Sequence, residues 1–489
     1  MSVARQYPTP RRAASPPLGR VWDIASANAR WPSAARPTCD RSPIPEPVNC
    51  RHGVYNPHSG RSHPSPRLQR ILPTTMAAIR HYGWVIFGLS FANLLAEGGI
   101  KNTVPVMYVA LRDSFRWSAA ATAGVFSLGG LTGALCAPLL GHLLDRIGPR
   151  YLFPLGGLLI LIGYLSSSCA SELWHLYLLY SILATLGENM ISSFTTAANL
   201  SPWFPRGRGR MLGLADAGNS VGQVIFLPLA QLLISSIGWR ETFRVFGVLF
   251  FLLVGPANFL LQRRPPLQPL LAKGNTPLAR GSPASRSTAP DTPLMRQILR
   301  RPPVWFLVMG RLLATMGNHL TQVHIVAFFI TAGYSPLLAA SAIGAVGLVG
   351  MVGRPLSGTL SDLLGREVIY TVGSGMQIGG IVALLTVGDG QRLWPIILFV
   401  ALNGLSDGIG GLVVGAKAAD LFPARALGSV MGLVQMGRGL GIMVGPLLGG
   451  WLFDLQGNYI MAYLLAVGLV CVAIGCIWGA HLTGGQTRH

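Results

Sequence analysis

From Tyr82 onward the chain is a succession of apolar runs about twenty residues long or longer, parted by short polar breaks, and no other feature limits its folding so severely. A bilayer's hydrocarbon core is about 30 Å thick, and about 20 residues of helix cross it. Lipid offers no hydrogen-bond partners, so the backbone of such a run must satisfy itself as a helix. Twelve runs are counted, at 82–110, 117–140, 151–169, 173–200, 211–236, 240–261, 303–331, 337–361, 368–387, 393–419, 427–452 and 458–480. They are numbered here as spans 1 to 12. Residues 262–302, rich in Pro, Arg and Ser, read as a flexible linker that divides the spans six and six. The expected fold is an all-α membrane protein of twelve transmembrane helices. Its halves occupy residues 76–261 and 303–480, with a short tail at 481–489.

The charge content agrees. Only 11% of the 489 residues are charged, against about 25% in a soluble domain. The net charge is nevertheless +21, from 38 Lys and Arg against 17 Asp and Glu. So basic a chain would suit nucleic acid, but its positive residues lie between apolar runs, where the anionic partner is membrane lipid. No nucleic-acid partner is implied. The six cysteines lack metal-ligand spacing and four lie inside apolar runs, so they read as packing residues without a disulfide framework. Zinc-protease, nucleophile-elbow and phosphate-loop patterns are missing, so neither an enzyme nor a cofactor or metal is expected.

Residues 1–75 are of another kind, with 13 of the 35 prolines, 11 arginines and three acidic residues. Such a segment buries too little apolar surface to offset its ordering entropy and is expected to be disordered. It has no secretory h-region. It is either a basic cytoplasmic tail lying on lipid headgroups, or upstream sequence ahead of a start at Met76, six residues before span 1.

Orientation follows from the Lys/Arg bias of the loops. One set carries Arg146, Arg150, Arg206, Arg208, Arg210, eight basic residues of the linker, Arg366 and Arg425. The opposite set carries Arg112, Arg116, Arg240, Arg244 and Arg392. Both termini and the linker are therefore expected in the cytoplasm of a multi-pass protein of the cell (inner) membrane.

The halves echo each other. Gly141 to Gly148 (GHLLDRIG) recurs as Gly358 to Gly365 (GTLSDLLG), an offset of 217. Gly213, Gly218, Gly222 and Gly238 recur as Gly432, Gly437, Gly441 and Gly457, an offset of 219. Trp84 and Trp305 stand 221 apart. Three matches at nearly one offset indicate an ancient duplication. Paired six-helix repeats belong to secondary transporters, whose substrate site lies at midplane between the halves.

Gly141-x-x-x-Asp145-Arg146-x-Gly148-Pro149-Arg150 resembles the signature loop of the major facilitator superfamily. Its second copy has Gly358, Asp362, Gly365 and Arg366, with Glu367 in place of the final arginine. Tyr82-Gly83-Trp84, Trp117-Ser118, Trp203-Phe204-Pro205-Arg206, Gly238-Trp239-Arg240 and Gln322-x-His324 resemble the bacterial monocarboxylate-transporter-like branch. That branch is related to the animal monocarboxylate porters and to the oxalate/formate exchangers. The resemblance runs from about Tyr82 to Trp478.

An ionisable side chain inside a membrane helix costs at least about 2.5–3.5 kcal/mol and is a functional candidate by default. Arg354 lies eight residues before Asp362, about 12 Å into the bilayer. The resemblance makes it the arginine that holds a substrate carboxylate, through a fork of two parallel hydrogen bonds; the residue-level alternative is a structural pair with an acidic neighbour. The porters' aspartate four residues earlier is replaced by Gly350, so their Asp–Arg proton relay does not carry over. Arg438, about 17 Å into span 11, resembles the helix 11 lysine of the exchangers; otherwise it pairs with an acid from another helix. Lys101 resembles the helix 1 lysine of the porters, or else snorkels to headgroups. His324 matches the family pattern and is placed in the cavity wall.

Glu97 and Asp407 are candidates to carry a coupling proton, with Glu188 and Asp216 as weaker cases; for each, a buried ion pair is the rival reading. His319 reads as packing, Arg311 as structural or snorkelling, and Asn93, Asn189 and Asn403 as cavity hydrogen-bonders. The glycines of spans 5 and 11 read as close-packing positions.

The function expected from these residues is secondary active transport of small organic anions, mono- or dicarboxylates, by a monomer. Alternating access would be driven by proton symport or anion exchange, with the signature loops latching the cytoplasmic side. The rivals are proton-coupled efflux of a drug-like or siderophore-like compound and a non-transporting membrane receptor.

Overall fold

A computed structural model describes residues 66–204, 208–263, 299–388, 392–422 and 424–485. Most of the expected tail and linker, with Pro205 and Arg206 of the span 5 motif, lies outside the described residues. The unit Ser65–His489 holds all the spans. Among the described residues every regular element is a helix.

Span 1 is made of two helices, Pro66–Asn102 and Val104–Phe115. Pro105 causes the break, because it cannot donate to the carbonyl four residues back and its ring crowds that turn. The first helix begins sixteen residues before Tyr82, inside the stretch expected to be tail. Leu68, Ile71, Leu72, Met76 and Ile79 recur there at helical spacing. Spans 2 and 3 are Ala119–Ile147 and Pro149–Ser168. Span 4 is broken into Leu173–Leu178, a wide π turn at Leu179–Ala184, Thr185–Met190 and Ser193–Leu200. Spans 5 and 6 run on as Arg208–Leu261, turned at Gly238.

In the second half, span 7 is Pro302–Thr331, span 8 Pro336–Leu364 and span 9 Arg366–Leu385. Span 10 is broken into Trp394–Ser406 and Ile409–Leu421. Spans 11 and 12 are Ala424–Gln456 and Ile460–Gly485. Nine helical stretches among the described residues are long and apolar enough to cross a bilayer. One of the nine contains both spans 5 and 6, and spans 4 and 7 complete the twelve. Leu252, Ile397 and Val472 are each more than half exposed, as residues facing lipid must be.

The duplicated glycines have duplicated jobs. Gly148 and Gly365 end spans 2 and 8 with φ of 82° and 97°, a region closed to ordinary side chains. A Cβ on Gly218 would stand 2.6 Å from the Phe91 carbonyl, and one on Gly222 2.2 Å from that of Leu95, so span 5 lies directly on span 1. In the second half Gly437 and Gly441 set span 11 on span 7 against the carbonyls of Val308 and Leu312, at 2.7 and 2.6 Å. Helices in lipid gain no hydrophobic force towards one another, so such backbone approach is what binds them.

Candidate functional site

The halves meet along two seams, spans 2 with 11 and 5 with 8. The helices have a signature end, which bears Asp145 and Asp362, and an opposite end. At the opposite end Asp454 of span 11 accepts hydrogen bonds from the N–H groups of Ala119 (2.8 Å) and Ala120 (2.9 Å), the first turn of span 2. Arg112 donates to the Tyr459 hydroxyl at 3.1 Å and lies over the Phe453 ring. Contact continues inward through Gly130 against Ile442 and Gly439 against Ala134. On the other seam Gln223 donates to the Ile343 carbonyl at 2.8 Å, and Gly347 lies beside the same glutamine. Arg354 with Asp216 is a further polar contact of this seam. Towards that end the space around Gly213 and Gly432 is open.

At the inner limit of contact the charged side chains gather. Arg354 donates from Nη1 to Asp216 Oδ2 at 2.9 Å, and from Nη2 and Nε to Asp407 Oδ2 at 2.8 and 3.1 Å. It therefore ties span 8 to span 5 of the other half and to the break in span 10. Gly408, with φ of 84°, turns that break. A Cβ on Gly350 would stand 2.9 Å from Asp407 Oδ2, so the glycine makes room for this carboxylate. Beyond Asp216 the network continues into the first half. Ser193, which opens the last helix of span 4, stands with Oγ 3.1 Å from Asp216 Oδ1 and 3.0 Å from Glu97 Oε2. Its backbone N–H donates to the same glutamate oxygen at 2.9 Å.

A second group adjoins the first. Arg438 lies within electrostatic range of Glu97 and Glu188, and Glu188 within range of Lys101. His319 of span 7 feels the charges of Arg438, Lys101 and Arg311. The Arg311 guanidinium lies against Gly410 and Gly411 at the start of the second span 10 helix. Among the described residues neither Arg438 nor Lys101 has a carboxylate within ion-pair distance.

The structure thus brings Arg354, Asp407 and Glu97 into one chain of contacts, and sets Arg438 and Lys101 beside it. His324 stands apart. It is fully buried, with Nε2 2.9 Å from the Pro446 carbonyl and its ring packed between Tyr108 and Tyr459 near the opposite-end seal. The other span 7 histidine, His319, is the one among the charges. Asn93 pairs with Asn258, joining spans 1 and 6, and Asn403 bonds back to the Phe399 carbonyl. Of the signature loops, Arg366 reaches Asp362 at 2.5 Å and Asp420 at 3.4 Å, both in its own half. Arg150 donates to the Phe259 carbonyl, also in its own half. Asp145 and Arg146 are exposed.

Sequence reading passed over Ser193 and the two breaks. The signals were there, because Asp407-Gly408 is a turn dipeptide inside an apolar run. Ser192-Ser193 likewise offers hydroxyls that compete for backbone groups within a helix.

The family model described as Major Facilitator Superfamily matches residues 89–400 and 382–483. Monocarboxylate transporter 13 of Bos taurus is 27% identical over 398 residues, covering 81% of this chain and 88% of the relative. Monocarboxylate transporter 11 of Homo sapiens is 26% identical, covering 80% of this chain and 81% of its own length. Among solved structures, a bacterial homologue of the human lysosomal transporter Spinster, in an inward-facing and unoccupied conformation, superposes with a TM-score of 0.59 at 16% identity. That match covers 82% of this chain and 96% of the other, and it concerns the fold alone. The similar proteins are transporters, not enzymes.

Proposed function

The chain belongs to the major facilitator superfamily, and from that premise we propose that it carries small organic anions, mono- or dicarboxylates, across the membrane by alternating access with proton symport. The observation that carries the proposal is Arg438 with Lys101, which together with Arg311 are the belt cations that have no ion-paired carboxylate among the described residues. A guanidinium held in low dielectric without a partner is a costly arrangement that a visiting carboxylate relieves. Two of the relatives bear the name monocarboxylate transporter, which agrees with this cargo. The bacterial branch and the kinship with oxalate/formate exchangers belong to the same proposal.

Arg354 has another role in this reading. Both of its faces are occupied by Asp216 and Asp407, so it acts as the tie between halves that must reorganise as the site changes access. The charge balance favours symport over exchange. Lys101, Arg311, Arg354 and Arg438 stand against Glu97, Glu188, Asp216 and Asp407, four of each sign. A carboxylate entering this balanced belt leaves one negative charge unmatched unless a proton enters with it. The signature end, with its basic loops, is the cytoplasmic end, so the seal lies on the outer side and the molecule faces inward.

Uptake into proteoliposomes of radiolabelled pyruvate, formate and oxalate, with and without an inward proton gradient, tests the proposal. Accumulation of at least one substrate should follow the proton gradient, and Arg438→Ala should abolish it. Unchanged uptake in both Arg438→Ala and Lys101→Ala would remove the proposed clamp.

A further inference from the structure

Where span 3 begins and span 6 ends, at the signature end, lies a cavity of about 510 Å³ lined by Ile147, Arg150, Tyr151, Gln262 and Arg263. Arg150 donates from Nε to the Phe259 carbonyl at 3.1 Å and lies over the Phe259 ring, and Arg263 lies over the Tyr82 ring. These contacts fix the two guanidinium groups without neutralising them. Among the described residues neither has a carboxylate within ion-pair distance. Gln262 is buried beside them. Its Nε2 donates to Asn199 Oδ1 of span 4 at 2.9 Å, and its Oε1 has no partner among the described residues.

The matching corner of the second half shows what such a place takes. At the offsets of 217 and 219, Arg150 corresponds to Glu367 and Gln262 to His481. Glu367 meets the buried Lys417 and lies 2.8 Å from His481 Nδ1, so that corner gathers spans 9, 10 and 12 around an acid of its own. The first half keeps the corner and lacks the acid. Two like charges facing one cavity repel unless an anion joins them, and here the anion has to come from outside the chain. We propose that the corner of spans 3, 4 and 6 binds the phosphate group of an anionic phospholipid.

A phosphate diester keeps two unesterified oxygens, which suit the forks of guanidinium groups. A lipid fits better than a soluble phosphate because the arginines stand beside an apolar wall. Tyr151, Phe259 and Leu260 are exposed there, and Leu252 lies two turns earlier on the same face of span 6 as Phe259. Acyl chains can follow that strip while the headgroup sits in the cavity, and basic pockets between helices on the cytoplasmic side are where anionic headgroups bind. The glycerol hydroxyls of phosphatidylglycerol also supply a donor for Gln262 Oε1. Bound lipid would do for spans 3, 4 and 6 what Glu367 does for spans 9, 10 and 12, holding them as one body while the halves rock. The inference does not depend on the cargo.

The test is thermal unfolding of the purified full chain, stripped of lipid in a neutral detergent, against rising phosphatidylglycerol, phosphatidylcholine of the same chains, or inorganic phosphate. The expected result is stabilisation by phosphatidylglycerol alone. Its half-saturating concentration should rise about tenfold or more in Arg150→Gln and in Arg263→Gln, since each removes a charge-assisted contact. Arg301→Gln, which removes an arginine at the start of span 7 and outside the corner, should leave it unchanged. Tyr151→Glu puts an acid on the exposed wall of the cavity, as Glu367 does for the other half, and should abolish the phosphatidylglycerol effect. Being at an exposed position, it decides the matter even where a glutamine variant fails to fold. Equal stabilisation by phosphatidylcholine would show acyl chains binding without the charge and overturns the inference. Stabilisation by inorganic phosphate gives the site to a soluble anion and overturns the lipid. An Arg301→Gln protein as impaired as Arg150→Gln, or a Tyr151→Glu protein that responds like the parent, overturns it as well.

Discussion

The two halves agree at several positions that turn or cap the backbone and disagree in most of their charges. Gly148 and Gly365 end their helices alike, Gly238 and Gly457 turn with φ of 81° and 70°, and spans 4 and 10 break at 191–192 and 407–408, 216 residues apart. Ser118 and Ser335 cap spans 2 and 8 by accepting from Ala121 and Leu338. At offsets of 217 and 219, however, Glu97 faces Ala314, Lys101 faces Asn318, Asp216 faces Gln435, Arg354 faces Ala137 and Arg438 faces Asn219. Duplication supplied a frame that rocks, and divergence placed the charges. Symmetry should therefore predict stability effects and fail to predict transport effects.

The largest expected effect tests an exception at the signature end. Arg150 ties span 3 to the Phe259 carbonyl of span 6 from an exposed position. Its counterpart Glu367 instead binds the buried Lys417 and lies 2.8 Å from His481 Nδ1, joining spans 9, 10 and 12. The departure from the signature is thus a tie of opposite sign. Glu367→Gln leaves a buried ammonium unpaired and should destabilise the protein by about 3–5 kcal/mol. Arg150→Gln should cost less than about 1 kcal/mol. Thermal unfolding in detergent compares them, and Lys417→Met should recover most of the loss in Glu367→Gln.

Next come substitutions that make the charge belt symmetric. Arg438→Asn gives both halves asparagine at this position. A charge-assisted hydrogen bond to substrate is worth about 1.5–3 kcal/mol, so uptake should fall by about 10- to 100-fold with unfolding temperature nearly unchanged. An equal fall in stability would mean that Arg438 holds the fold and not the cargo.

The glycines should behave as matched pairs. Gly218→Ala and Gly437→Ala each press a methyl into a facing carbonyl at 2.6 and 2.7 Å, and each should cost about 1–3 kcal/mol by overpacking. Gly213→Ala and Gly432→Ala meet open space and should change stability by no more than about 1 kcal/mol, in the stabilising direction. A large difference within either pair, measured by thermal unfolding, would break the structural equivalence of spans 5 and 11.

This division explains what the sequence could tell. Spans, repeats and the glycine seams depend on local hydropathy and on residues without side chains, both visible in one dimension. The candidates Arg354, Glu97 and Asp407 were visible for the same reason, being charges in oil. Their partnerships were not, because each joins residues from different spans. Arg354 reads in sequence as a carboxylate clamp or as one member of an ion pair, and only the fold names Asp216, 138 residues away, and Asp407, 53 away, as its partners. His324 was favoured over His319 by resemblance; their spacing of five already puts them on different faces of one helix, and only the packing of span 7 shows which of those faces meets the charges.

The smallest expected effect concerns the seal opposite the signature loops, where symmetry also fails. Asp454 caps the first turn of span 2 across the seam, whereas the matching position of span 5 is Ser235, which bonds only to its own helix at Gln231 and Leu232. Span 8 is left with its own Ser335 cap. The seal is therefore weighted towards one seam, and weakening it should open that seam first. Loss of an N-capping acceptor costs about 1 kcal/mol, and here the cost falls only on the state in which the seam is closed. Asp454→Ala should thus shift the population about fivefold towards the outward-open form. Spin labels at Arg116 and Asn458, in a chain whose native cysteines are serine, would report a second, longer distance by double electron–electron resonance. Ser235→Ala should leave the distribution as it was. If Asp454→Ala also leaves the distribution as it was, Asp454 is no more than a surface contact and the closure of this seam belongs to the packing of Gly450 on Ala119.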